Sequence, residues 1–120
     1  MSPNMGQFKQ LRVWQAAAQQ LKLTVEVTRQ LRLGDLANQM RRAALSVPSN
    51  IAEGRGRRSD REFARFLDIA RSSNDELACQ LELALTVGCV DQARGEAVLR
   101  INGQVGRMLT CLLARLAAGD

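Results

Sequence analysis

Arginine is the residue type here with the most chemistry to offer. Arg41, Arg42, Arg55, Arg57, Arg58, Arg61, Arg65 and Arg71 crowd into residues 41–71 against Glu53, Asp60, Glu62 and Asp68, leaving a local charge of +4 out of a net +5 for the whole chain. A guanidinium is a planar fork of donors that suits phosphate and carboxylate oxygens, so a basic chain rich in it has polyanions among its natural partners. Arg58, Arg61 and Arg65 are spaced by three and four, which puts them on one side of a helix. Together with Arg55 and Arg57 they form a surface able to follow a phosphate backbone without reading bases. Two plainer readings compete. The arginines could line a solvated face or pair with carboxylates of another subunit. The ratio of 15 Arg to two Lys could also reflect a GC-rich genome.

Other chemistries are poorly provided for. The chain has no His and no Tyr. It therefore lacks two familiar general acid-base groups and the Glu-x-x-His pair with which four-helix bundles hold di-iron centres. The spacings of Glu62 to Arg65 and Asp68 to Arg71 predict surface ion pairs worth a few tenths of a kcal/mol each. The Gly54–Arg58 stretch has neither the preceding strand nor the Gly-Lys-Ser/Thr ending of a nucleotide-binding loop. Cys79, Cys89 and Cys111 are odd in number and widely separated, which predicts buried reduced thiols rather than disulfides or a metal site. The three Phe and Trp14 sit at core spacing, so stacking on single-stranded bases has little support. No catalytic residue, metal or cofactor is expected.

The elements that must position the arginines are four helices, predicted at 8–33, 35–54, 60–87 and 91–117. In the first, Leu11, Trp14, Ala18, Leu21 and Val25 make an apolar stripe, and Val13, Leu23, Val27 and Leu31 fall off it. A helix apolar on two sides predicts neighbours on two sides. Gly34 reads as a left-handed stop and Asp35 as the cap of the next helix. Helix two carries Leu36, Met40, Ala43, Ala44, Val47 and Ile51, with Pro48 predicting a kink or break near residues 45–47. Ser59 with Glu62 is a capping box opening helix three, Gly88 ends it, and Asp91 caps helix four. Gly95, Gly103 and Gly106 make helix four the weakest by propensity, at about 1 kcal/mol each, and the last two sit where another subunit could approach closely. Short connections make the helices antiparallel neighbours, so the fold class is all-α, an antiparallel up-down four-helix bundle.

A length of 120 residues suits one domain spanning 1–120 with no internal repeat. No apolar run approaches the roughly 20 residues of a membrane span. Met1–Gly6 shows no secretory pattern, which points to the cytoplasm.

The string RRAALSVPSNIAEG at 41–54, followed by RFLDIARSSNDEL at 65–77, resembles the bacterial four-helix-bundle family of ribosomal RNA intervening-sequence proteins. The likeness extends over most of residues 11–90, and helix four shares only its apolar pattern. The family also resembles the accessory protein of diversity-generating retroelements. The resemblance implies a ring, a homopentamer of basic bundles, with RNA or DNA as ligand and a reverse transcriptase as a protein partner. Carried over residue by residue, it implies polyanion contacts for Arg41, Arg42, Arg55, Arg57, Arg58 and Arg61. Ser46, Pro48, Asn50, Glu53 and Gly54 match the family signature, and the reading for them is structural: they serve the proline kink, whose freed carbonyl a side chain can satisfy. Relatives commonly have a longer connection between helices one and two, and Tyr in place of Thr28 and Cys89. The function expected is a non-catalytic, nucleic-acid-binding oligomeric accessory factor. An interaction scaffold for proteins alone is the alternative.

Overall fold

A computed structural model describes residues 7–119; Met1–Gly6, read above for a secretory pattern, lies outside the described residues. A 3-10 turn at Gln7–Gln10 leads into four helices, α1 (Arg12–Thr28), α2 (Gly34–Arg55), α3 (Asp60–Val87) and α4 (Gln92–Ala117). Each helix packs on two neighbours in the cyclic order α1, α2, α3, α4. Residue numbers run in opposite directions across the pairs. Ser46 meets Ser73 while Gly54 lies against Phe66, and Asn74 meets Asn102 while Leu85 lies against Gly95. The result is an all-α four-helix bundle, and no helix among the described residues is long and apolar enough to cross a membrane.

The helix ends show local chemistry at work. Ser59 Oγ accepts from the Glu62 amide at 3.1 Å, and Asp91 Oδ2 accepts from the Arg94 amide at 2.9 Å. Gly88, at φ 78°, closes α3 with its own amide on the Leu85 carbonyl and that of Cys89 on Ala84, the paired bonds of a Schellman motif. The α1–α2 junction departs from expectation. α1 stops at Thr28, and Gly34 is the first residue of α2 with no positive φ. Arg41 caps that end: its Nη2 donates to the Thr28 carbonyl at 3.0 Å and its Nε to Thr28 Oγ1 at 2.9 Å. A cation placed on a terminal carbonyl, which here also accepts from the Leu31 amide, opposes the negative end of the helix dipole. Asp35 sits in the first turn of α2 without acting as a side-chain cap.

Pro48 does not break α2, which is one helix from Gly34 to Arg55. The side chains beside it bond other carbonyls than the one at Ala44 that the proline leaves without its amide. Ser49 Oγ donates to the Leu45 carbonyl, and Asn50 Nδ2 to the Ser46 carbonyl at 2.8 Å. Ser46 then joins Ser73 of α3 at 2.8 Å, so this part of the family signature ties two helices together.

The core has two apolar halves with a layer of amides between them. One half centres on Met40, Leu77, Leu81 and Val98, the other on Ile51, Leu67, Val105 and Leu109. Between them Gln20 Nε2 donates to Asn74 Oδ1 at 2.9 Å, while Asn74 and Asn102 each donate to the other's backbone carbonyl. Gln20 and Asn74 are at most 1 % exposed, so these bonds form where no water competes. This layer corrects the sequence reading of α1. Its inward face is Val13, Ala17, Gln20, Thr24, Val27 and Thr28, and the stripe through Leu11, Trp14, Ala18, Leu21 and Val25 is only half-buried. Thr24 and Thr28 are accommodated by donating to carbonyls one turn back, at 2.7 Å each.

Candidate nucleic-acid interface

The arginines converge on the end of the bundle where α2 runs into α3. Gly54 makes the junction tight: a methyl there would lie 2.7 Å from Phe66 Cβ and 2.9 Å from Phe63 Cδ1. The C-terminal turn of α2 therefore presses on the first turns of α3, and residues 56–59 bridge them as a short exposed loop. Arg57 and Arg65 meet over one aromatic ring, with guanidinium carbons 4.8 and 5.2 Å from the Phe66 centroid. Each such contact is worth about 0.5–1 kcal/mol at a surface and stiffens a side chain that would otherwise sweep freely. Arg57 also pairs with Glu53 at 2.6 Å, although both side chains are largely exposed, which keeps the pair weak.

Arg58 and Arg61 are exposed and have no hydrogen bond or ion pair to another described residue. Arg55 is half-buried and donates to Gln7 Oε1 at 3.2 Å, tying the N-terminal turn to the end of α2. The expected pair of Asp68 with Arg71 forms at 3.1 Å, whereas Arg65 faces Phe66 instead of Glu62.

Two candidates stand apart from this cluster. Arg41 and Arg42 lie roughly 20 Å from Arg55 along α2 at 1.5 Å per residue. Arg41 is committed to the end of α1 as described, while Arg42 is exposed and unpaired. The seven candidates are thus five at the loop end, one free on the flank of α2, and one that holds the fold.

Positive charge is concentrated toward one end of the bundle. The loop end also receives the start of α1, through Gln7 on Arg55, and the end of α4, where Leu113 and Leu116 border a cleft with Arg61 and Ala64. Exposed Arg12 and Arg115 add to the basic side. Residues 72–93 carry Asp75, Glu76, Glu82 and Asp91, all exposed, and no Lys or Arg. That stretch of α3 is acidic, but Arg29, Arg32 and Arg94 share its end of the bundle, and Arg29 and Arg94 line one cleft with Glu26 and Asp91, so the far end is mixed in charge.

Several contributors were hidden in the sequence. Phe66 sits at core spacing, and nothing in that spacing marks it as a seat for two cations. Two of the three thiols expected to be buried, Cys79 and Cys111, are exposed; Cys89 is half-buried, and all three are free. Gly95 and Gly106 face Leu85 and Asn74 of α3, whereas a methyl at Gly103 would meet only Arg107 of its own helix.

The fold is similar to the crystal structure of a protein of unknown function from the S23 ribosomal protein family of Bacteroides thetaiotaomicron, with a TM-score of 0.78 and 19 % identity over 85 % of this chain and 95 % of that one. No curated protein matches the chain. A family model described as 23S rRNA-intervening sequence protein matches residues 9–111, nearly the whole bundle, and the chain belongs to that family.

Proposed function

We propose that this chain is a non-catalytic, nucleic-acid-binding protein that works as an oligomeric accessory factor in the cytoplasm, gripping phosphates with the arginines at the α2–α3 end. The observation that carries the reading is the pair Arg58 and Arg61, exposed and unpartnered beside Arg57 and Arg65. Unpaired guanidiniums held near a tight helix junction supply charge without a carboxylate to displace first. The family name refers to intervening sequences of 23S ribosomal RNA, which makes structured RNA the first ligand to try, with duplex DNA beside it. A reverse transcriptase is the protein partner that the resemblance to retroelement accessory proteins suggests.

Association of copies would multiply weak phosphate contacts. The half-buried outer stripe of α1 supports it, because Trp14, Leu21 and Val25 retain apolar surface that a second copy would cover. Sedimentation equilibrium should give a mass several times 13.2 kDa; a monomer at micromolar concentration would remove the oligomer from the proposal.

Fluorescent structured RNA titrated across a salt series tests the central claim. Binding should weaken steeply with salt and collapse when Arg55, Arg57, Arg58 and Arg61 are changed to Ala. Exposed Leu83 and Val87, at 53 % and 63 %, favour a second reading as a protein scaffold. No RNA or DNA binding even at low salt would leave the scaffold reading and send the search to protein partners.

A further inference from the structure

We propose that the groove between the start of α1 and the second half of α4 docks an acidic amphipathic helix from a protein partner. The groove encloses about 360 Å³. Its floor is apolar, made by Leu11 and Val13 from one side and Met108 and Leu112 from the other. Its rim is cationic, with Arg12 on the α1 wall and Arg107 and Arg115 on α4, and no carboxylate lines it. None of these three arginines has an ion-pair partner among the described residues. From Arg100 to Arg115 the only charged residues of α4 are arginines, and the first turn of α1 has neither an acidic residue nor a side-chain cap.

This combination selects the occupant. An apolar floor offers nothing to a phosphodiester, and no aromatic ring lines it for a base to stack on, so the groove is poorly suited to nucleic acid. Arg107 and Arg115 are eight residues apart, about 12 Å along the helix, or roughly two helical turns. A helix laid in the groove would place apolar residues one turn apart onto Met108 and Leu112 and bring flanking carboxylates to the two α4 arginines. Methionine suits such a floor because its unbranched side chain adjusts to the shape it meets.

Cys111 lines the groove and Cys79 is exposed on α3 outside it, so the native thiols report occupancy and its control. The experiment measures alkylation of each cysteine by mass spectrometry on the full chain. The probe is a short helical peptide with two Leu one turn apart and Glu on both flanks, beside the same peptide with Gln in place of Glu. The expected result is alkylation of Cys111 slowed about tenfold by the Glu peptide, Cys79 unchanged, and protection lost both with the Gln peptide and in the Arg107→Gln/Arg115→Gln variant. Both substitutions lie at exposed positions, so folding is preserved and circular dichroism checks it. Four outcomes overturn the proposal: no protection at millimolar peptide, equal protection of both cysteines, equal protection by an RNA oligonucleotide, or protection that depends on protein concentration, which assigns the groove to a second copy. Faster labelling of the peptide-free chain on removal of residues 2–6 would also overturn it, by giving the groove to the chain's own start. The RNA titration with the loop variant is independent of all these readings, so the two proposals fail separately.

Discussion

Arg41 and Arg58 occupy opposite situations in the same bundle. Arg41 is half-buried and gives two hydrogen bonds to Thr28, capping one helix from the side of the next. Arg58 is fully outside, bonded to no described residue. Counting arginines in residues 41–71 treats them alike, and the structure divides them into those the fold engages, Arg41 on Thr28, Arg55 on Gln7 and Arg71 on Asp68, and a group that it displays. Residue type and spacing announce a basic region; hydrogen-bond partners decide which of its members are available to a ligand.

The comparison can be broken most forcefully at the loop. Changing Arg55, Arg57, Arg58 and Arg61 to Ala should lower affinity for structured RNA by about 100-fold or more at low salt and flatten the salt slope by roughly 0.9 for each phosphate no longer neutralised. Filter binding at several salt concentrations reads both. Arg41→Ala should do the reverse. It should cost about 2 kcal/mol in urea denaturation, the range for hydrogen bonds from a charged donor, and leave RNA affinity within about twofold. A large affinity loss in Arg41→Ala with unchanged stability would erase the distinction.

Gly54→Ala tests the junction that displays the group. The added methyl has Phe66 and Phe63 within contact distance on a packed surface, so a loss of about 1–3 kcal/mol is expected, with thermal unfolding as the readout. Gly34→Ala, with open space around the site, should be neutral or stabilising. Arg65→Gln should cost less than Gly54→Ala. Removing one cation from the Phe66 ring should cost about 0.5–1 kcal/mol and loosen the loop arginines without unfolding the bundle.

Much of the fold was legible because helix boundaries carry local signals. Ser59, Gly88 and Asp91 each act on backbone groups within five residues of themselves, and such signals survive in a single sequence. The end of α1 was not legible, since its cap comes from Arg41 on another helix. The inward face of α1 was misread for a related reason. Gln20 and Thr24 sit at core spacing but look polar, and only Asn74 across the bundle makes Gln20 a core residue. A stripe through Val13, Ala17, Gln20, Thr24 and Val27 keeps the helical period, and that period was the available clue. Within the candidate site, exposure of Arg58 and Arg61 agrees with their place in and after a Gly-rich loop. The seat of Arg57 and Arg65 on Phe66 depends on how closely Gly54 lets α2 approach, which is a fact of packing.

The gathering of arginines at one end has a kinetic side. The bundle extends 44 × 29 × 20 Å, so the arginine-rich end lies farther from the mixed-charge end than the roughly 8 Å screening length of physiological salt. A polyanion approaching from a distance exerts a torque on such a body as well as a pull. Molecules that drift near RNA should turn their arginine end toward it before touching, raising the fraction of encounters that begin in a productive orientation.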